Sequence, residues 1–183
     1  MNQRHLYHLG IFLVLVGLIV AGRYLPHFAN FTPVAAAGFF AGYLFRNRLL
    51  AVAVPLVGML LSDLLIQQYY PWATMATVYL CMVIPALMGG RLRTPATNFL
   101  ERAGKIAMGA GTGSVLFYLG TNLAVWLFDG IYALNWDGLM ACYTAAIPFL
   151  KFTLAGDLFF TAVLFGTHAL VMRLVASRQT RMA

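Results

Sequence analysis

The sequence predicts an all-α, polytopic membrane bundle of about six transmembrane helices with both termini in the cytoplasm. Three observations carry that expectation. Of 183 residues, 62% are hydrophobic and 9% charged, with mean hydropathy +0.82, whereas a soluble domain carries about 25% charged residues. So few charges cannot cover a water-exposed surface, so lipid must be the solvent for most of it. The apolar residues fall in runs close to the length of a membrane span, and the basic residues collect in alternate connections between those runs.

Taken in order, the expected spans are residues 9–25, 28–45, 49–66, 73–89, 104–128 and 152–175, all in a single integral membrane domain, 1–183. The first follows a basic start and ends near Val20-Ala21-Gly22, a pattern that also describes a cleavable signal peptide. A retained helix is preferred because the rest of the chain is itself membrane-embedded. The second is short for the roughly twenty residues a span needs, and extension back to Pro26 would make up the difference. The third contains Pro55 and ends at Ser62-Asp63-Leu64-Leu65, and residues 67–72 form a polar-aromatic turn of interfacial type. Residues 91–102 are the longest and most basic connection. Residues 139–150 are apolar, too short to cross and interrupted by Pro148, which predicts a short outer helix or re-entrant piece before the sixth span.

With the amino terminus inside, the cytoplasmic side collects Arg4, Arg46, Arg48, Arg91, Arg93, Arg102, Lys105, Arg173, Arg178 and Arg181, and the outer side only Arg23 and Lys151. That is ten of the twelve Lys and Arg against two, and shifting the count by one helix destroys the partition. The same placement removes the nucleic-acid reading of a net charge of +7, since no basic stripe interleaves with exposed aromatics. Cys81 and Cys142 lack metal-ligand spacing and read as small apolar core residues.

An ionisable group within a span costs about 2.5–3.5 kcal/mol on insertion scales, so each is a functional candidate. Asp63 and Asp157 qualify, both expected in the outer third of the membrane. Asn122 and Trp126, four apart on one helix face, reach that level from the fifth span, with Tyr143 and Lys151 at the outer lip. This convergence predicts a substrate-binding pocket with apolar walls and a few orienting polar groups. The bland alternative is that these groups cap helices or bond across them. His168, three turns beyond Asp157, is expected to make an interhelical hydrogen bond. Gly109 and Gly113 form a GxxxG pair suited to close helix packing rather than to a nucleotide. Ala37/Ala41 and Gly38/Gly42 make a similar small-residue face, able to pack inside the bundle or to meet another protein. No hydrolase, transferase, metal or nucleotide constellation is present in the sequence, so neither an enzyme nor a cofactor is expected.

Several segments carry a resemblance. Asn30-Phe31-Thr32-Pro33-Val34-Ala35-Ala36-Ala37 followed by Ala41-Gly42 resembles the proline-then-small-residue helix near the start of ECF transporter S components, and Pro55 through Leu65 resembles their next helix. Thr121-Asn122-Leu123-Ala124-Val125-Trp126, Cys142-Tyr143 through Pro148-Phe149, and Thr153-Leu154-Ala155-Gly156-Asp157-Leu158 are similar to a bacterial transport-type family of unknown function usually grouped with S components. The resemblance spans about residues 26–170 and implies a substrate-binding subunit that captures a vitamin-like small molecule from outside. It further implies a shared membrane partner and ATPase subunits that drive release inward, met through the Ala37, Gly38, Ala41, Gly42 face. No riboflavin, thiamine, biotin or cobalamin signature accompanies it.

The expected function is therefore a transport protein of the inner membrane that binds a small ligand at its outer face. Trp126 would stack on that ligand, Asn122 orient it, and Asp157 pair with a donor or cation, supported by Asp63. The alternative is a non-transporting membrane scaffold that works through its small-residue helix face.

Overall fold

A computed structural model describes residues 3–67 and 71–182. Six α-helices follow one another, α1 (Gln3–Tyr24), α2 (Val34–Leu44), α3 (Arg48–Ile66), α4 (Trp72–Gly89), α5 (Phe99–Phe128) and α6 (Trp136–Met182), with a 3-10 turn over Gly90–Arg93. Five helical stretches are long and apolar enough to cross a membrane: His5–Tyr24, Arg48–Ile66, Trp72–Arg93, Phe99–Phe128 and Trp136–Gln179. The expected class, an all-helical membrane bundle, is what the chain forms. Part of the expected interfacial turn, residues 68–70, lies outside the described residues.

Side-chain contacts give the direction of each helix. Ile19 meets Gly58 and Arg23 reaches Ser62 and Asp63, so α1 and α3 run parallel. Gly38 faces Met82, and Gly42 faces Ala86 and Gly89, which makes α2 and α4 parallel. Gly113 meets Pro85 and Gly120 meets Cys81, so α5 runs against α4. Ser114 bonds Asp157 and Asn122 meets Cys142, so α6 runs against α5. Successive helices therefore alternate in direction. Arg46, Arg48, Arg91, Arg93, Arg102 and Lys105 all sit at one end of the bundle, while Arg23 and Lys151 sit toward the other.

The second expected span is not a span. α2 has 11 residues, about 16 Å of helix, roughly half of a hydrocarbon core about 30 Å thick. Extension backwards toward Pro26 is blocked. Pro33 holds the helix start, the residue before a proline disfavours helical geometry, and Asn30 adopts φ 63°. Short as it is, α2 is the centre of the molecule, with Val34 through Gly42 all buried. Phe39 and Phe40 pack on Phe165 of α6, and the two rings join Val34, Ala37, Ala41 and Val54 in one apolar core.

The small-residue face is consumed inside this core. A Cβ on Gly42 would overlap the carbonyl oxygen of Ala86, and one on Gly89 would overlap that of Phe39. Ala37 and Ala41 are fully buried. Ala37, Gly38, Ala41 and Gly42 thus form an internal seam with α3 and α4, which corrects the expectation of a surface offered to another protein. Gly109 and Gly113 are likewise packing positions, against Phe39 and Pro85.

The short outer helix expected over 139–150 is also absent. α6 runs unbroken through Pro148 for 47 residues, about 70 Å. Pro148 withholds the amide that the Thr144 carbonyl would accept. The adjacent carbonyl, that of Tyr143, takes the Tyr118 hydroxyl at 2.6 Å, so α5 supports this turn from the side. Neighbouring helices allow proline inside a membrane helix in this way.

The α2–α4 seam predicts an asymmetric glycine response. Gly42→Val forces two backbones apart and is expected to lower stability by about 3 kcal/mol, the upper end for overpacking. Gly104→Ala, on a helix position with nothing within 4 Å, is expected to be neutral or slightly stabilising. Thermal unfolding of both variants in the same detergent checks the contrast.

Candidate functional site

The six residues expected to share a pocket fall into separate environments. Asp63 belongs to an ion pair. Arg23 of α1 lies 2.6 Å from Asp63 on α3 and donates to Ser62 Oγ at 2.5 Å and to the Met59 carbonyl at 3.3 Å. The Tyr79 hydroxyl of α4 donates to the other carboxylate oxygen of Asp63 at 2.6 Å. Only 16% of the Arg23 side chain and 13% of the Asp63 side chain remain exposed, so the two charges compensate one another in a largely desolvated place. This pairing also explains why an arginine is tolerated at the end of the bundle poor in cations.

Asp157 lies deeper. It is 4% exposed and accepts from Ser114 Oγ at 2.5 Å, in a tight gap that Thr161, Pro85, Ala110 and Phe39 complete. Ser114 precedes Asn122 by eight residues on α5, an axial separation of about 12 Å. Asp157 and Asn122 are therefore not at one depth. The helix count had placed them level because it started the sixth span at 152, whereas α6 begins at Trp136. His168 makes ring contacts with Phe40 and Tyr43, centroids 5.7 Å away in each case, rather than pairing with Asp157.

Trp126 is turned to the α5–α6 connection, its indole N–H donating to the Ala133 carbonyl at 2.9 Å. Tyr143 donates its hydroxyl to the Leu119 carbonyl at 2.7 Å and stacks edge-on against Tyr118. Lys151 is exposed. Only Asn122 of the six lines a cavity of useful size.

That cavity, about 360 Å³, lies between α4, α5 and α6, with Ala29 and Asn30 of the α1–α2 connection as a further wall. Its apolar lining includes Val78, Phe117, Val125 and Phe149, and its polar groups are Asn30, Thr74, Tyr118, Thr121, Asn122, Asp129 and Thr153. The volume lies toward the lower end for small-molecule sites, and an apolar wall with few polar groups is their usual make-up.

The protons of these polar groups are largely committed. Thr121 donates to Phe117 O at 2.8 Å, Thr153 to Phe149 O at 2.9 Å and Tyr118 to Tyr143 O. Asn122 Nδ2 donates to Tyr118 O at 2.8 Å, and Thr74 donates to Asp129 Oδ1 at 2.5 Å. What stays free among the described residues is the acceptor capacity of the hydroxyl lone pairs, Asn30 Oδ1, Asn122 Oδ1 and the second Asp129 oxygen, beside the N–H groups of the Asn30 amide and one N–H of Asn122. Asp129 is also the only formal charge in the lining. The cavity is thus arranged for a neutral or cationic molecule that donates hydrogen bonds.

Thr74, Asp129 and Asn30 escaped the sequence reading. Asp129 and Thr74 stand at helix ends, where such residues usually cap, and 55 residues separate them. Asn30 did stand in a segment singled out for its resemblance, and its positive φ marks the turn that brings it to the cavity.

A family of unknown function, DUF6580, matches residues 3–180. The chain belongs to that family. No curated protein and no solved structure matches it, so the geometry of this DUF6580 chain has to speak for its chemistry.

The Arg23–Asp63 pair carries its own prediction. Arg23→Leu and Asp63→Leu are each expected to cost about 3 kcal/mol, because each leaves one shielded charge unmatched. The double variant is expected to cost clearly less than the sum. Unfolding of the four proteins of the cycle in detergent measures this.

Proposed function

We propose that this DUF6580 protein is a membrane transport protein of the inner membrane. In this reading it captures a small, hydrogen-bond-donating molecule in the cavity between α4, α5 and α6, in the manner of an ECF S component. The observation that carries the reading is the acceptor-rich cavity with Asp129 as its one charge, opening toward the end of the bundle that is poor in Lys and Arg. The basic residues at the other end favour a cytoplasmic position there, which makes the cavity an outward-facing one. The resemblance of residues 26–170 to S components points the same way, and a vitamin-like ligand with amine, ring N–H or hydroxyl donors suits the lining.

The site in this proposal differs from the sequence-based one. Asn122 keeps its orienting role, Asp129 replaces Asp157 as the charged acceptor, and Thr74 holds Asp129 in place. Phe117 and Phe149 supply the aromatic walls that Trp126 was expected to provide. Asp63 and Asp157 serve the bundle. An ECF-type membrane partner with ATPase subunits would have to dock on another surface, since the Ala37/Gly38/Ala41/Gly42 seam is internal. The same burial removes the specific basis for a scaffold acting through that seam.

Protein purified in mild detergent and analysed by mass spectrometry is expected to retain a small molecule bearing donors. Asn122→Leu and Asp129→Leu should each lower its retention about tenfold, the effect of leaving a buried donor unpaired. Trp126→Phe should leave it unchanged. Equal retention in all four proteins would contradict the cavity assignment.

A further inference from the structure

The opposite end of the bundle carries a second binding feature. Between α4, the 3-10 turn and the start of α5 runs a groove of about 420 Å³, lined by Phe39, Met88, Leu92, Met108 and Gly109, with Arg91, Thr94 and Lys105 at its edge. Its interior is apolar, and its outer wall is open, Met108 being 74% exposed. In a membrane chain an open apolar wall faces acyl chains. Arg91 falls in the most basic connection and Lys105 in the second turn of α5, and Met108 and Gly109 lie one turn deeper into that helix. The groove thus runs from a cationic mouth into an apolar trough, which matches the two parts of a phospholipid.

The charges at the mouth are available. Arg91 makes no hydrogen bond or ion pair through its guanidinium among the described residues. Lys105 is 2.6 Å from Glu101, but an ammonium has three donors and can serve an anion as well. Thr94 already gives its proton to the Arg91 carbonyl at 2.9 Å, so it offers no donor. Arg93 and Arg102, close by, are turned inward to the end of α2. Of the five carboxylates in the chain, Glu101 alone lies at this end of the bundle. A zwitterionic headgroup would bring a cation into this positive field, and an anionic one would not.

We propose that this groove binds one anionic phospholipid, its phosphate between Arg91 and Lys105 and one acyl chain along Met88, Leu92, Met108 and Gly109. Basic pockets between helices on the cytoplasmic side are the setting in which such headgroups are held. The lipid would tie the 90–98 connection to the leaflet and so fix the height at which α4 and α5 sit. The claim is independent of the ligand cavity at the other end.

Native mass spectrometry of the full chain in mild detergent, given equimolar phosphatidylglycerol and phosphatidylcholine of the same acyl composition, tests it. The phosphatidylglycerol adduct is expected to exceed the other by about tenfold or more, as two cations facing an anionic headgroup imply. Arg91→Gln with Lys105→Gln should bring the ratio to near one, whereas Arg46→Gln with Arg48→Gln, which removes equal charge outside the groove, should preserve it. Met108→Trp, which fills the trough, should lower retention of both lipids. A ratio near one in the native protein would overturn the proposal. So would equal loss in the two charge variants, or full displacement of the lipid by millimolar inorganic phosphate, which would mean a bare anion site.

Discussion

A helix of 11 residues covers only about half of the bilayer, so α2 starts deep in the bundle and ends at its basic end, and the carbonyls of its last turn have no partners within the helix. Such carbonyls need partners from elsewhere in the protein or from water. α2 meets this constraint with Arg93, which reaches back from the 3-10 turn after α4. Its guanidinium donates to Gly42 O at 2.5 Å and to Tyr43 O at 2.9 Å, and also to Phe45 O. Arg102 adds a bond to the Tyr43 hydroxyl at 2.8 Å and lies over its ring. One turn of irregular chain between α4 and α5 therefore closes the end of α2. The arginine that does so counts, in the sequence, as one more cytoplasmic positive charge.

The rest of the architecture follows from seating α2 inside. Glycines at 42 and 89 let its backbone touch that of α4, and bulky Phe39, Phe40 and Phe45 fill the space toward α6 and α1. Because α2 begins deep, the 25–33 connection is drawn down beside α6, with Phe28 stacked on Phe152 and Phe31 against Phe159 and Phe160. α4, α5 and α6 continue past that level. The space left between them, with the connection as one wall, is the candidate ligand cavity. A full-length second span would have occupied it.

What the sequence made legible was whatever depends on one-dimensional patterning. Apolar runs located the helices, and the alternation of basic connections matches the alternation of helix directions set by contacts such as Gly120 with Cys81. The start of α5 was less clear. Asn98 caps it through Glu101 N at 2.8 Å, and Glu101 reciprocates to Thr97 N at 2.6 Å, so the helix begins at Phe99 within a stretch that reads as a polar loop. Depth was the quantity that failed. Proline at 148 looked like a break, which moved the start of the last helix by sixteen residues and raised Asp157 to a level it does not occupy. Asp63 is visible as an intramembrane charge, but Arg23, at the outer end of the 9–25 span, counts in the sequence only as an outer-side charge, and spacing alone does not pair the two. The cavity residues Thr74 and Asp129 meet only because α4 and α5 are antiparallel and end together, which spacing alone does not reveal.

The central claim is that α2 is a buried, non-spanning helix held by protein on every side. Amide hydrogen exchange of the chain in mild detergent, where lipid no longer shields the outer helices, tests it most directly. The account predicts that the amides of Val34–Leu44 are among the slowest to exchange, level with those of α4 that face them, and that Arg93→Gln accelerates the last turn of α2 first. Exchange of α2 at the rate of the 25–33 and 129–135 connections would contradict it.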